Sequence, residues 1–142
     1  MAAPARPLLS ELQKGHQFPA TNVQLSADDI RAYLDAVEDA NGVYLERGLA
    51  PPLAVAALAL GALLELLELP AGTLHTGQEV EAHGGVPIGA TLRLSGRIAQ
   101  RSERAGLVIS VLEFELTAGG SDAPAIVGRT TVAILADAAG QP

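Results

Sequence analysis

The stretch from Leu53 to Leu67 limits the possible folds more than any other part of this chain. Leu53, Val55, Leu58, Leu60, Leu63, Leu64, Leu66 and Leu67 are spaced by alanines and Gly61, so no helical face is polar. A helix of that kind has to be surrounded by other apolar material. Its apolar run, Leu53–Leu64, is shorter than the roughly twenty residues a membrane span needs, and Glu65 and Glu68 close it with charge. Pro51-Pro52 opens it, since proline is accommodated in a first turn, and Pro70-Ala71-Gly72 ends it. At 1.5 Å per residue it would be roughly 24 Å long. The rest of the chain is expected to build a coat around this rod.

That coat reads as strands. Thr73–His83, Thr91–Arg101, Leu107–Thr117 and Ala125–Ala136 are separated by GGVPIG, SERAG and GGSDAP. In the second of them Leu92, Leu94 and Ile98 alternate with Arg93, Ser95 and Arg97, the period of a half-exposed antiparallel strand. No helix lies between the strands, so parallel crossovers are excluded and an antiparallel meander is predicted. Upstream, residues 16–25 alternate like a strand, with Pro19 placing them at an edge. Ser26, followed by Asp28 and Asp29, is a capping-box variant that opens a helix carrying Ile30, Tyr33, Leu34 and Val37. Asn41-Gly42 is its stop signal and Tyr44–Ala50 a connector. The prediction is an α+β chain in which an antiparallel sheet wraps one long buried helix, the hot-dog fold. It forms a single domain over residues 16–136, preceded by a flexible arm (1–15) with at most a turn of helix and followed by a short tail (137–142).

Composition removes several classes of function. A chain of 142 residues with 49% hydrophobic content has a core large enough to order itself. A net charge of −7, no Trp and two Phe argue against nucleic acid, which calls for a basic footprint or aromatic platforms. The absence of cysteine excludes disulfides, a thiol nucleophile and thiolate-bound metal. Three histidines, His16, His75 and His83, lack the spacing of a metal pair. No signal peptide or membrane span is visible, so the expected compartment is the cytoplasm, without metal or cofactor.

Two segments, AVEDANGVYLERGLAPPLAVAALALGALLELL and LHTGQEVEAHGGVPIGATLRLSGRI, resemble the MaoC-like hydratase/dehydratase family, and within it the N-terminal, FAS1-like dehydratase half. The resemblance rests on the order and spacing of Ala50-Pro51-Pro52, of Leu74-His75-x-Gly77-Gln78-Glu79 and of Pro87-x-Gly89. It implies the addition of water to, or its removal from, a 2-enoyl thioester of coenzyme A or an acyl carrier protein. Active members are similar in carrying an Asp, an Asn two residues later and a His five residues after the Asp. Here Asp39 and Asn41 take the first two places, Tyr44 stands where the His belongs, and Gly42 replaces a proline. By the same resemblance, the N–H near Ala56 at the start of the buried helix would polarise the thioester carbonyl, and His75 would point toward the substrate.

The chemistry needs a base for water, an acid for the α-carbon and donors for the enolate oxygen. Asp39 lies near the negative end of a helix, which suits a carboxylate that handles protons; it suits equally a plain exposed side chain. A phenol at Tyr44 is protonated near neutrality, so it donates a hydrogen bond and is a poor base. Asn41 also reads as a helix stop, the small residues Ala54, Ala56 and Ala57 as spacers for a close sheet, and His75 as a structural histidine. Arg93, Arg97 and Arg101 share a strand face and suggest phosphate contacts. If Arg93 lies opposite Glu115 and Ser95 opposite Glu113, however, the stripe is answered by its own hairpin.

The reading that results is an incomplete or non-catalytic hot-dog half of an (R)-specific enoyl hydratase or 3-hydroxyacyl dehydratase. It would form a homodimer, or a heteromer with a second hot-dog subunit that carries the intact Asp and His. The alternatives are an acyl-thioester binding or structural module without turnover and a thioesterase, ranked lower because Glu65 and Glu68 lie toward the far end of the helix from its N-terminal donors.

Overall fold

The computed structural model describes residues 6–39, 42–119 and 121–135. The elements run in the order β1 (Thr21–Gln24), α1 (Ala27–Ala36), α2 (Val43–Arg47), α3 (Pro52–Leu64), β2 (Leu74–Ala82), β3 (Thr91–Arg104), β4 (Leu107–Ala118) and β5 (Ile126–Leu135). All five strands form one antiparallel sheet in the order β1-β3-β4-β5-β2. The four long strands lie where the alternation places them, their ends moved by three residues or fewer.

The apolar rod is α3. It buries Ala54, Val55, Ala56, Ala59 and Leu63 against the inner face of the sheet. Small side chains let the layers approach, and two glycines in the sheet receive large ones. The methyls of Leu63 occupy the place a Cβ on Gly96 would take, and the ring of Phe114 lies over Gly128. The helix is shorter than expected: after Leu64 the chain tightens into i→i+3 bonds, from Leu66 N–H to Leu63 O and from Leu67 N–H to Leu64 O, both 3.1 Å.

Four features differ from the expectation. The strands are not a meander, because β2 pairs with β5 at the far edge while β1 takes the edge of β3. The connection from β2 to β3 crosses the end of the sheet, pinned by Ala50 N–H to Val86 O and by Ile88 N–H to Gly48 O, each 2.8 Å. The connector Tyr44–Ala50 begins as helix, since α2 spans Val43–Arg47 and ends at Gly48 with φ +67°.

The third difference is the β3–β4 register. No five-residue loop separates these strands. They continue to a two-residue turn of Ala105 (φ +53°) and Gly106 (φ +79°), the positive-φ pair that matches strand twist. Ser95 therefore faces Glu115, Arg97 faces Glu113 and Arg93 faces Thr117. A bulge between Ile98 and Gln100 reverses the alternation beyond it. Arg101 consequently leaves the face shared by Arg93 and Arg97 and turns inward, where its Nε donates to Ser10 O at 3.0 Å.

The fourth concerns the N-terminal segment. Its turn of helix is a 3-10 turn at Leu9–Glu11, and it is docked rather than loose: Leu9 is fully buried, and its chain bridges to Glu68. Residues 15–18 then run beside β3, with Phe18 N–H donating to Gly96 O and Ile98 N–H to His16 O, both 2.9 Å. Pro19, which has no N–H to give, falls between this stretch and β1.

Candidate functional site

Asp39 is placed by the way α1 ends. Val37 caps the helix, Glu38 takes the left-handed conformation at φ +58°, and two bonds close the turn. Glu38 N–H donates to Asp35 O at 3.1 Å and Asp39 N–H donates to Leu34 O at 2.9 Å. This is a Schellman motif with glutamate where glycine is usual. The helix thus stops before the Asn41-Gly42 signal, and Asp39 is the last residue of the motif, exposed. Asn41 lies outside the described residues.

Tyr44 sits in the first turn of α2, half-buried and packed against the core. Its backbone oxygen accepts from Leu49 N–H at 3.0 Å, which folds α2 back toward the start of α3. There Ala54 N–H and Val55 N–H both donate to Pro51 O, at 3.0 and 3.1 Å. Val55 thus makes the first regular bond of the helix, Ala54 among the donors a helix start leaves open is satisfied locally, and Pro52 has no N–H. Of the first turn, the Leu53 N–H remains outside these bonds. Ala56 is fully buried one turn in, where an α-helical N–H is directed to the carbonyl four residues back.

His75 lies near the start of β2, opposite Val132, and is exposed on the inner side of the sheet. Its Nε2 is 3.0 Å from Gly77 O. The other two histidines are elsewhere: His16 packs edge-on against Phe18 at 5.2 Å, and His83 lies 3.4 Å from Glu81 at the far end of β2. No histidine occupies the described part of the segment from α1 to α3. Glu68 is tied to the N-terminal segment through Arg6 at 3.4 Å, at the opposite end of the rod from Asp39 and Tyr44. Among the described residues no group of three or more His, Asp or Glu side chains could hold a metal ion. No helix there is long and apolar enough to cross a membrane.

The geometry around these residues is open. Leu53 is 59% exposed, and Ala57 and Gly61 continue its stripe along α3. Beside that stripe, β2 forms the edge of the sheet, its inner-face residues His75, Gln78 and Ala82 exposed. A rod whose composition calls for full enclosure is thus left open along one stripe. Three surface concavities lie elsewhere and include none of Asp39, Tyr44, Ala56 and His75 in their walls.

Residues 12–119 match the family described as FAS1-like, dehydratase domain region. The chain belongs to that family. Its likeness to solved structures shows the hot-dog fold that the helix and sheet describe. One such structure is the (R)-hydratase from A. caviae involved in PHA biosynthesis, with TM-score 0.69, 20% identity and 86% of this chain against 96% of that one. Another is the HadBC (3R-hydroxyacyl-ACP dehydratase) complex from Mycobacterium tuberculosis, with TM-score 0.67, 19% identity and 84% against 93%. The ChsH1-ChsH2 complex from Mycobacterium tuberculosis is similar at TM-score 0.61 and 14% identity, with 82% against 83%. Comparison with curated protein sequences finds no match. As a FAS1-like dehydratase region, the chain carries Asp39 at the end of a Schellman turn and a phenol five residues on.

Proposed function

We propose that this chain is one hot-dog half of an acyl-thioester hydratase or dehydratase and works against a second hot-dog subunit. One observation carries the reading: α3 is apolar all round, yet its Leu53–Ala57–Gly61 stripe and the adjoining edge of β2 are bare. A second sheet joined along β2 would cover both and remove an exposed edge. Family membership supports the fold side of this, and hydratases and dehydratases among the similar structures support the chemistry. Two of those structures are complexes.

The substrate class is a 2-enoyl or 3-hydroxyacyl thioester of coenzyme A or an acyl carrier protein. Asp39 is assigned proton handling, with Asn41 and Tyr44 as hydrogen-bonding neighbours. The α3 start near Ala56 and His75 on the inner face of β2 are assigned to the substrate side. Tyr44 donates well and accepts a proton poorly, so the water-activating base is assigned to the second subunit. That same phenol favours a second reading, in which the chain binds acyl thioesters without turning them over.

Loss of the conjugated enoyl absorbance of a short 2-enoyl-CoA separates the two. The chain alone is expected to be inactive and to melt higher with an acyl-CoA present. With a catalytic hot-dog partner, turnover should appear and fall at least 100-fold in Asp39→Ala. Turnover by the chain alone would overturn the partner-dependent reading, and an unchanged rate in Asp39→Ala would remove that residue from the chemistry.

A further inference from the structure

The outer face of the sheet has a charge pattern that the proposed function does not use. By the pairing register, the charged side chains pointing outward on the four long strands are Arg93, Arg97, Arg104 and Arg129, against Glu79, Glu81, Glu113 and Glu115. They sum to zero in a chain of net charge −7. Like-charge repulsion between two copies of this acidic molecule is therefore low across this face.

The charges are also ordered in space. One row across the sheet reads Arg97 on β3, Glu113 on β4, Arg129 on β5 and Glu79 on β2. Within the chain Glu113 already holds Arg97 at 2.8 Å and Arg129 at 3.6 Å. Every outward charge on β3 is an arginine, and every outward charge on β2 is a glutamate. Nearer the β3–β4 turn the outward rows are uncharged: Gln100, Val111, Thr131 and Gly77, then Ser102, Ile109, Ala133 and Leu74.

We propose that a second copy of this chain docks on the outer face about a two-fold axis that runs along the strands between β4 and β5. That axis reverses the order of the strands and keeps each row at its height. Arg97 then meets the second copy's Glu79, Glu113 meets its Arg129, and Arg93 lies over the row neighbouring its Glu81. The same operation lays Val111 and Ile109 against Thr131 and Ala133. A contact of this kind is isologous, so it closes as a pair rather than a chain. Exposed ion pairs are individually weak; here their pattern sets register, while Val111 and Ile109 in the uncharged rows add apolar contact.

This contact is separate from joining along the edge of β2, and one experiment tells them apart. The mass in solution is measured by light scattering at low ionic strength for the wild type, for Arg97→Glu, for Glu79→Arg and for an equimolar mixture of the two variants. Each variant alone is expected to have half the wild-type mass, because its outer faces then repel. The mixture is expected to return to the wild-type mass, since each altered residue meets its complement across the axis. If either single variant keeps the wild-type mass, or the mixture does not recover it, the proposal is overturned. A halving from tetramer to dimer leaves the β2 contact in place, whereas a halving from dimer to monomer removes that contact and keeps this one. Arg97 also holds Glu113, so where Arg97→Glu does not fold, the pair Arg93→Glu and Glu81→Arg carries the same test. Arg93 has no in-chain ion pair among the described residues.

Discussion

At Glu38 the backbone stands at φ +58°, where a residue with a Cβ is strained by roughly 1–2 kcal/mol. Two hydrogen bonds, to Asp35 O and Leu34 O, hold it there and aim the next residue, Asp39, out of the helix. Glycine takes this conformation without strain but loses more entropy on folding. Glu38→Gly is therefore expected to raise stability by about 0.5–1 kcal/mol, read as a higher urea midpoint with an unchanged slope. A loss of stability would mean that the Glu38 side chain holds the turn by contacts of its own. The position of Asp39 at a helix end was legible from the spacing of Ile30, Leu34 and Val37. The manner of ending was not, because nothing in Val37-Glu38-Asp39 announces a left-handed residue and Asn41-Gly42 announces one more strongly.

Among the elements, the β3–β4 hairpin and the strand beside it show what alternation can and cannot convey. Period-2 patterning located every long strand, since one face had to be apolar and the other polar. Register depended on the turn. A tight Ala105-Gly106 turn and one bulge moved Arg93 and Ser95 away from the expected Glu115 and Glu113, and took Arg101 off the shared face. Both features are single-residue choices that leave the hydrophobic pattern intact on either side. Gly128 is a third such choice, invisible until Phe114 is seen lying over it. Gly128→Ala should cost about 1–3 kcal/mol through overpacking. Phe114→Leu should recover part of that loss in a double-mutant cycle by thermal melting. Additive losses in the cycle would mean that Phe114 is not what fills the space above Gly128.

For the whole molecule, the controlling fact is that α3 is over-apolar for the cover it receives. Ala54, Val55, Ala56, Ala59 and Leu63 are buried by the sheet, while Leu53 is left 59% exposed. Leu53→Asp places a carboxylate at the start of a helix, where the dipole favours it, and disturbs no buried contact. The isolated chain should keep its far-ultraviolet spectrum, whereas association along α3 and β2 should weaken at least tenfold in sedimentation equilibrium. Unaltered association would place the second subunit elsewhere.

Sequence alone determined the elements and the layer they form, because a helix without a polar face and four alternating strands can satisfy their apolar surface in few ways. It also put Asp39 near the end of a helix, since short-range spacing locates α1, whereas Tyr44, expected in a connector, lies in the first turn of α2. Tertiary structure decided the rest. It sent β2 to the far edge beside β5, turned Arg101 inward, docked Leu9 beneath the end of α3 and left one stripe of the rod uncovered. These outcomes depend on contacts between segments distant in the chain, where one bulge or one crossing connection changes every partner while the local pattern stays the same.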